Sequence, residues 1–118
     1  VQDHRKLRVW QEAQELCVEV YRFSAAFPKE ERYGLSAQLR RAAVSVGANV
    51  AESSRRTSRA DKGRILNIAQ GEAAEAMSEL DIARRLQYGN EGDAENLIAA
   101  SHRWLAMSEA LRQMVLAG

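Results

Sequence analysis

Two groups of side chains in this 118-residue chain carry enough polarity to do chemistry. The first is a stripe in which Gln38, Ser45, Asn49 and Glu52 recur beside an apolar helix face, joined by Glu75 and Glu79 further along. Carboxylates on facing helices can hold metal ions, and di-iron bundles do so with Glu-x-x-His pairs. No such pair occurs here, since the two histidines are His4, ahead of the first apolar series, and His102, in the last. The stripe reads instead as a hydrogen-bonded network that sets helix register, with Arg40 or Arg41 as counter-charge, because polar groups beside a core need partners. The second group is the basic run Arg55, Arg56, Arg59, Lys62 and Arg64, interrupted by one carboxylate, Asp61. Such a cluster can neutralise the phosphates of RNA or DNA. It has little aromatic interleaving, which points to backbone contact rather than base stacking. The plainer reading is a solvated loop and first turn.

Nothing in the chain assembles a catalytic set. Ser101 and His102 are neighbours in sequence and so point in different directions on a helix. Neither a glycine-rich phosphate loop nor a zinc-ligand spacing is present. The chain therefore reads as a non-enzyme with no metal or cofactor. Cys17 is the single cysteine, which excludes an intrachain disulfide, and its place on an apolar face makes it a small core hydrophobe. Seventeen Lys and Arg against sixteen Asp and Glu leave a formal charge of +1, so affinity for a polyanion has to come from clusters. The absence of a signal-like segment and of a long uncharged apolar stretch predicts a cytoplasmic protein that does not enter a membrane.

The elements that position these groups are helices. Alanine, arginine, glutamate, glutamine and leucine are plentiful, β-branched and aromatic residues are sparse, and Pro28 is the single proline. Residues 1–6 read as a flexible arm. Apolar positions then step by threes and fours from Leu7 through Val9, Trp10, Ala13, Leu16, Cys17, Val20 and Tyr21, until Pro28 stops the series. A second series runs Leu35, Leu39, Ala42, Ala43, Val46 and Val50; Gly47 inside it costs about 1 kcal/mol of helix propensity and predicts close approach of a neighbour. Ser53 to Ser58 reads as a break, and Ser58 with Asp61 resembles a capping box that starts a third helix. That helix carries Leu66, Ala69, Ala73, Ala76, Met77, Leu80 and Ala83 and stops near Tyr88-Gly89-Asn90, with glycine available for the cap. The fourth starts about Asp93 and carries Ala94, Leu97, Ile98, Ser101, Leu105, Ser108, Leu111 and Val115. One all-α domain over 1–118 follows, an antiparallel up-down-up-down four-helix bundle. The third helix also has a second apolar stripe, Ile68, Ile82 and Leu86, opposite its core face, and Trp10, Tyr21, Tyr33, Trp104 and Met107 need cover as well. A helical domain with two apolar faces buries the second against a copy of itself, which predicts a homo-oligomer.

The pieces Val9-Trp10-Gln11-Glu12-Ala13, Phe27-Pro28-Lys29-Glu30-Glu31-Arg32-Tyr33-Gly34-Leu35, Gln38-Leu39-Arg40-Arg41-Ala42-Ala43 and Asn49-Val50-Ala51-Glu52, with Gly71, Glu75 and Ile82-Ala83-Arg84-Arg85-Leu86, carry a likeness across most of the chain. In this combination the sequence resembles the bacterial four-helix-bundle proteins known as 23S ribosomal RNA intervening-sequence proteins. That family is similar in fold to the accessory variability protein of diversity-generating retroelements. The resemblance implies a homopentamer with no established biochemical role, and nucleic-acid binding by analogy with the retroelement protein. Two positions depart from the family pattern: Ser53 stands where glycine is usual, and Glu72 where serine is usual.

Overall fold

The computed structural model describes residues 3–118. Four helices follow in order: α1 over Arg8–Ser24, α2 over Leu35–Arg55, α3 over Arg59–Arg85 and α4 over Glu91–Ala117. Cross-helix contacts show that neighbours run antiparallel. Arg40 reaches Ser24, Arg41 reaches Glu75, Gln70 reaches Glu109 and Trp104 reaches Val9. Each helix packs on its sequence neighbours, and α1 packs on α4 to close the ring. This is the up-down-up-down bundle, about 45 Å long.

The core lies along the bundle axis in two continuous layers. At one end Val20, Phe23, Phe27, Leu39, Leu80 and Leu97 meet, with Cys17 packed against them; burial raises the thiol's pKa. At the other end Val9, Val46, Val50 and Leu66 surround Trp104. Trp104 is buried, and its Nε1 donates to the Val9 carbonyl at 2.9 Å. It therefore needs no cover from a partner, contrary to the sequence-based expectation. The reason is that α4 is apolar on several sides, so its period alone does not orient the indole.

The helix ends are set by local chemistry. The Ser58 hydroxyl caps α3 by accepting from the Asp61 amide at 3.1 Å, while the Asp61 carboxylate pairs with Arg64 rather than completing the box. Asn90 caps α4, which makes Asp93 a first-turn carboxylate. The C-terminus of α3 is a Schellman cap, with Tyr88 donating to the Ala83 carbonyl and Gln87 to Arg84. The left-handed residue is Gln87 (φ 60), not the glycine expected there. Gly89 has positive φ as well, and a side chain there would strike the Phe23 ring. The second series runs on through Ser53 and Ser54 to Arg55; both serines are buried, and their hydroxyls are satisfied by donating back to the Val50 and Ala51 carbonyls. The break between α2 and α3 is thus shorter than the sequence suggests. Ser53 lies inside the helix, and its carbonyl accepts the closing amide of Arg56. The arm expected over 1–6 is structured from Asp3 onward. Asp3 caps a 3₁₀ turn over His4–Lys6, and the His4 ring packs edge-on to Trp10 at 4.9 Å. Val1 and Gln2 lie outside the described residues.

Candidate functional site

The seam between α2 and α3 gathers the polar stripe and the second apolar stripe on one outer face. Ile68, Glu72, Glu75, Glu79, Ile82 and Leu86 alternate steps of four and three and so share one line along α3. Gln38, Arg41, Ser45 and Glu52 share a line along α2, with Asn49 beside it. Arg41 crosses the seam, donating to Glu75 at 2.7 Å and approaching Glu72 at 3.7 Å. Glu72, the departure from the family pattern, is thereby absorbed into an ion pair.

The remaining polar side chains of the stripe do not bridge helices. Asn49 donates to the Ser45 carbonyl of its own helix at 2.8 Å, and Glu52 pairs with Arg56, the residue that follows α2. Among the described residues the Gln38 and Ser45 side chains make no hydrogen bond. Among these residues the side-chain link across the seam is thus Arg41 with Glu75 and Glu72. Gly47 accepts the neighbouring helix α1: a side chain there would meet the end of Gln14 and come to 3.8 Å from the Ala13 methyl.

Glu79 is the unusual member of this face. It is 6% exposed, and its Oε1 is buried with no hydrogen-bond partner. Its pKa is raised, first by burial and then by the Glu75 carboxylate; Arg41 opposes this and Glu72 adds to it. Around it Ile68, Ile82 and Leu86 are 43%, 44% and 50% exposed. Among the described residues no group of three or more His, Cys, Asp or Glu side chains is placed to hold a metal ion. His102 is exposed on α4, and the buried Ser101 hydroxyl donates to Leu97. No helix of the described residues is long and apolar enough to cross a membrane.

The basic run occupies the turn from α2 to α3, at the C-terminal end of α2. Two of its members are engaged: Arg56 with Glu52 and Asp61, and Arg64 with Asp61 at 3.0 Å. Arg55, Arg59 and Lys62 have no carboxylate within 4 Å among the described residues, and the Arg59 guanidinium lies against Gly118. Two concavities escaped sequence reasoning, since residues far apart in the chain build them. One lies between α1 and α4, where Glu12, Glu15, Glu19 and Asp93 rim a floor of Leu16 and Leu97. The other lies at the opposite end of α2 from the basic run, where Tyr21, Lys29, Arg32, Tyr33 and Arg40 converge. The adjacency of Arg32 and Tyr33 in sequence was the available signal for the second.

The geometry defines an all-α, antiparallel four-helix bundle with one mixed acidic and apolar outer face. The chain belongs to the 23S rRNA-intervening sequence protein family, whose model matches residues 5–110. It is similar to a solved protein of unknown function from the S23 ribosomal protein family of Bacteroides thetaiotaomicron VPI-5482. The two are 27% identical, the alignment covers 88% of this chain and 97% of that one, and the TM-score is 0.78. No curated protein matches the chain. What these relatives share with it is the helical fold, with no assigned function.

Proposed function

We propose that the protein is a non-catalytic homo-oligomeric scaffold whose copies meet through the α2–α3 face. The observation that carries this reading is the line of half-exposed Ile68, Ile82 and Leu86. Covering each side chain contributes about 2 kcal/mol per contact at ~25 cal/mol per Å². The charge on the same line bears on the symmetry. Glu72, Glu75 and Glu79 share one guanidinium, Arg41. A two-fold contact of this face with itself would set like charges together, whereas a head-to-tail contact meets a different surface and closes into a ring. The five-copy ring is the stoichiometry that the family resemblance implies. Light scattering tests it: the expected mass is five protomers of 13.2 kDa. Glu at Ile68, Ile82 and Leu86 together should release protomers. An assembly untouched by that triple change would place the contact elsewhere.

A second reading is favoured by the unpaired Arg55, Arg59 and Lys62. Repeated around a ring, they form a multivalent cationic edge for structured RNA or duplex DNA. Binding should weaken steeply with salt and vanish when Arg55, Arg56 and Arg59 become Glu. No binding at low salt would sink this reading.

A further inference from the structure

The hollow at the start of α2 shares Arg41 with the α2–α3 face and no residue with the basic run. It is an open concavity of about 590 Å³ between the end of α1, the connection after it and the first turns of α2. Four cations line it, Lys29, Arg32, Arg40 and Arg41, and no carboxylate does. Arg41 is committed to Glu75, but Lys29, Arg32 and Arg40 have no carboxylate within 4 Å among the described residues. The carboxylates of the same connection do not neutralise them. Glu31 is used elsewhere, accepting from the Leu35 amide at 3.1 Å and the Tyr88 hydroxyl at 3.0 Å, and Glu30 is exposed outside the lining.

Arg40 is held still by neutral partners. Its Nε donates to the Ser24 hydroxyl at 2.7 Å, one terminal nitrogen donates to the Tyr21 carbonyl at 3.2 Å, and its guanidinium lies 4.6 Å from the Tyr21 ring centre. Its charge is thus oriented without being cancelled, and a guanidinium with five donors keeps others free for an oxyanion. Beside it, Tyr33 is 85% exposed, with Arg32 5.4 Å from its ring centre. This ring lies outside both core layers. An exposed aromatic ring beside cations that have no carboxylate partner is the pairing that recognises an aromatic base carrying a phosphate.

We propose that this hollow binds a nucleoside phosphate, with the phosphate on Lys29, Arg32 and Arg40 and the base stacked on Tyr33. Two sources supply that chemistry, a free nucleotide and a nucleotide unit of single-stranded nucleic acid. The site is separate from the basic run: Arg40 and Arg55 are about 22 Å apart along α2 at 1.5 Å per residue.

The test is fluorescence anisotropy of the full chain with labelled decauridylate at low salt, with matched duplex RNA, free UTP and phosphatidylserine vesicles as competitors. Tyr33→Ala should weaken binding about tenfold without changing the salt slope, and Tyr33→Phe should bind as wild type. Lys29→Ala with Arg32→Ala should weaken binding and flatten the slope by about 0.7 for each lost phosphate contact. Arg55→Ala with Arg59→Ala should change nothing. Affinity that rises with oligomer length assigns the site to a strand; UTP that displaces the label as well as an unlabelled decamer assigns it to a free nucleotide. Absence of binding at low salt, an unaffected Tyr33→Ala, or vesicles or duplex that compete as well as the single strand would overturn the proposal. Loss of binding in the Arg55 and Arg59 variant alone would overturn it in favour of the other end of α2.

Discussion

Replacing Trp104 by Phe tests whether the bundle core closes within one chain. The indole is 1% exposed, lies among Val9, Ala13, Val46, Val50 and Leu66, and donates to the Val9 carbonyl across 95 residues of sequence. Losing that hydrogen bond costs about 1 kcal/mol. Phe leaves a void of roughly 40 Å³, which costs about 1 kcal/mol at ~24 cal/mol per Å³. The smaller ring also buries less apolar surface, for about 0.5 kcal/mol more. The expected destabilisation is about 2–3 kcal/mol, and with an unfolding entropy of about 2.1 cal/mol/K per residue this lowers Tm by about 10 °C. Calorimetry at several protein concentrations, with urea unfolding at 25 °C, measures it. The assembled mass should not change, because the indole packs only within its own protomer. A variant that melts within about 2 °C of wild type, or one that loses assembly together with stability, would refute this account of the core.

Three further perturbations probe charge and backbone. Glu109 accepts from Arg112, Gln113 and Gln70, which lower its pKa from 4.5 to about 2. A carboxylate depressed in the fold stabilises it above the unfolded value, and that stabilisation drains as pH falls from about 4.5 toward 2. Arg112→Met should return the Glu109 titration, followed by carboxyl NMR, toward the ordinary range; an unmoved titration removes the ion pair as its cause. Glu79 has the opposite sign. Its raised pKa favours the fold below the unfolded value, and the advantage is lost as pH rises through the folded one. Glu79→Gln should therefore gain on wild type in urea midpoint at pH 7 and lose that gain near pH 4, whereas an equal difference at both values would clear the carboxylate. At Gln87, held at φ 60, Gly should be neutral or stabilising by up to about 1 kcal/mol, and a β-branched Val should lose at least that much in chemical denaturation. A Val variant as stable as wild type would mean that the strand of chain after α3 relaxes freely.

The helices were legible because each buries one periodic face: Leu39, Ala42, Val46 and Val50 in α2, and Leu66, Ala69, Ala73 and Leu80 in α3, are all buried as their spacing predicts. The start of α3 was legible because a cap is a local bond between Ser58 and Asp61. What the spacing could not supply was the partner of each polar group. Gln38, Arg41 and Ser45 share one line, yet only Arg41 is long enough to reach α3. Reach across a seam depends on the distance between helices, which period does not encode. Arg40 looked like a counter-charge for the stripe, but it turns to Ser24 on α1. The hollow it helps to form was missed because its residues come from α1, the connection and α2, whereas the basic run stood out merely by being contiguous. Trp104 was misplaced because α4 offers apolar side chains on several faces, and only packing against Val9 selects one.

Assembly through the α2–α3 face is decided by multi-angle light scattering of the wild-type chain beside the variant with Glu at Ile68, Ile82 and Leu86. Five protomers of 13.2 kDa are expected for the wild type and single folded protomers for the variant. A wild type that elutes at one protomer mass across the accessible concentrations would contradict assembly through this face.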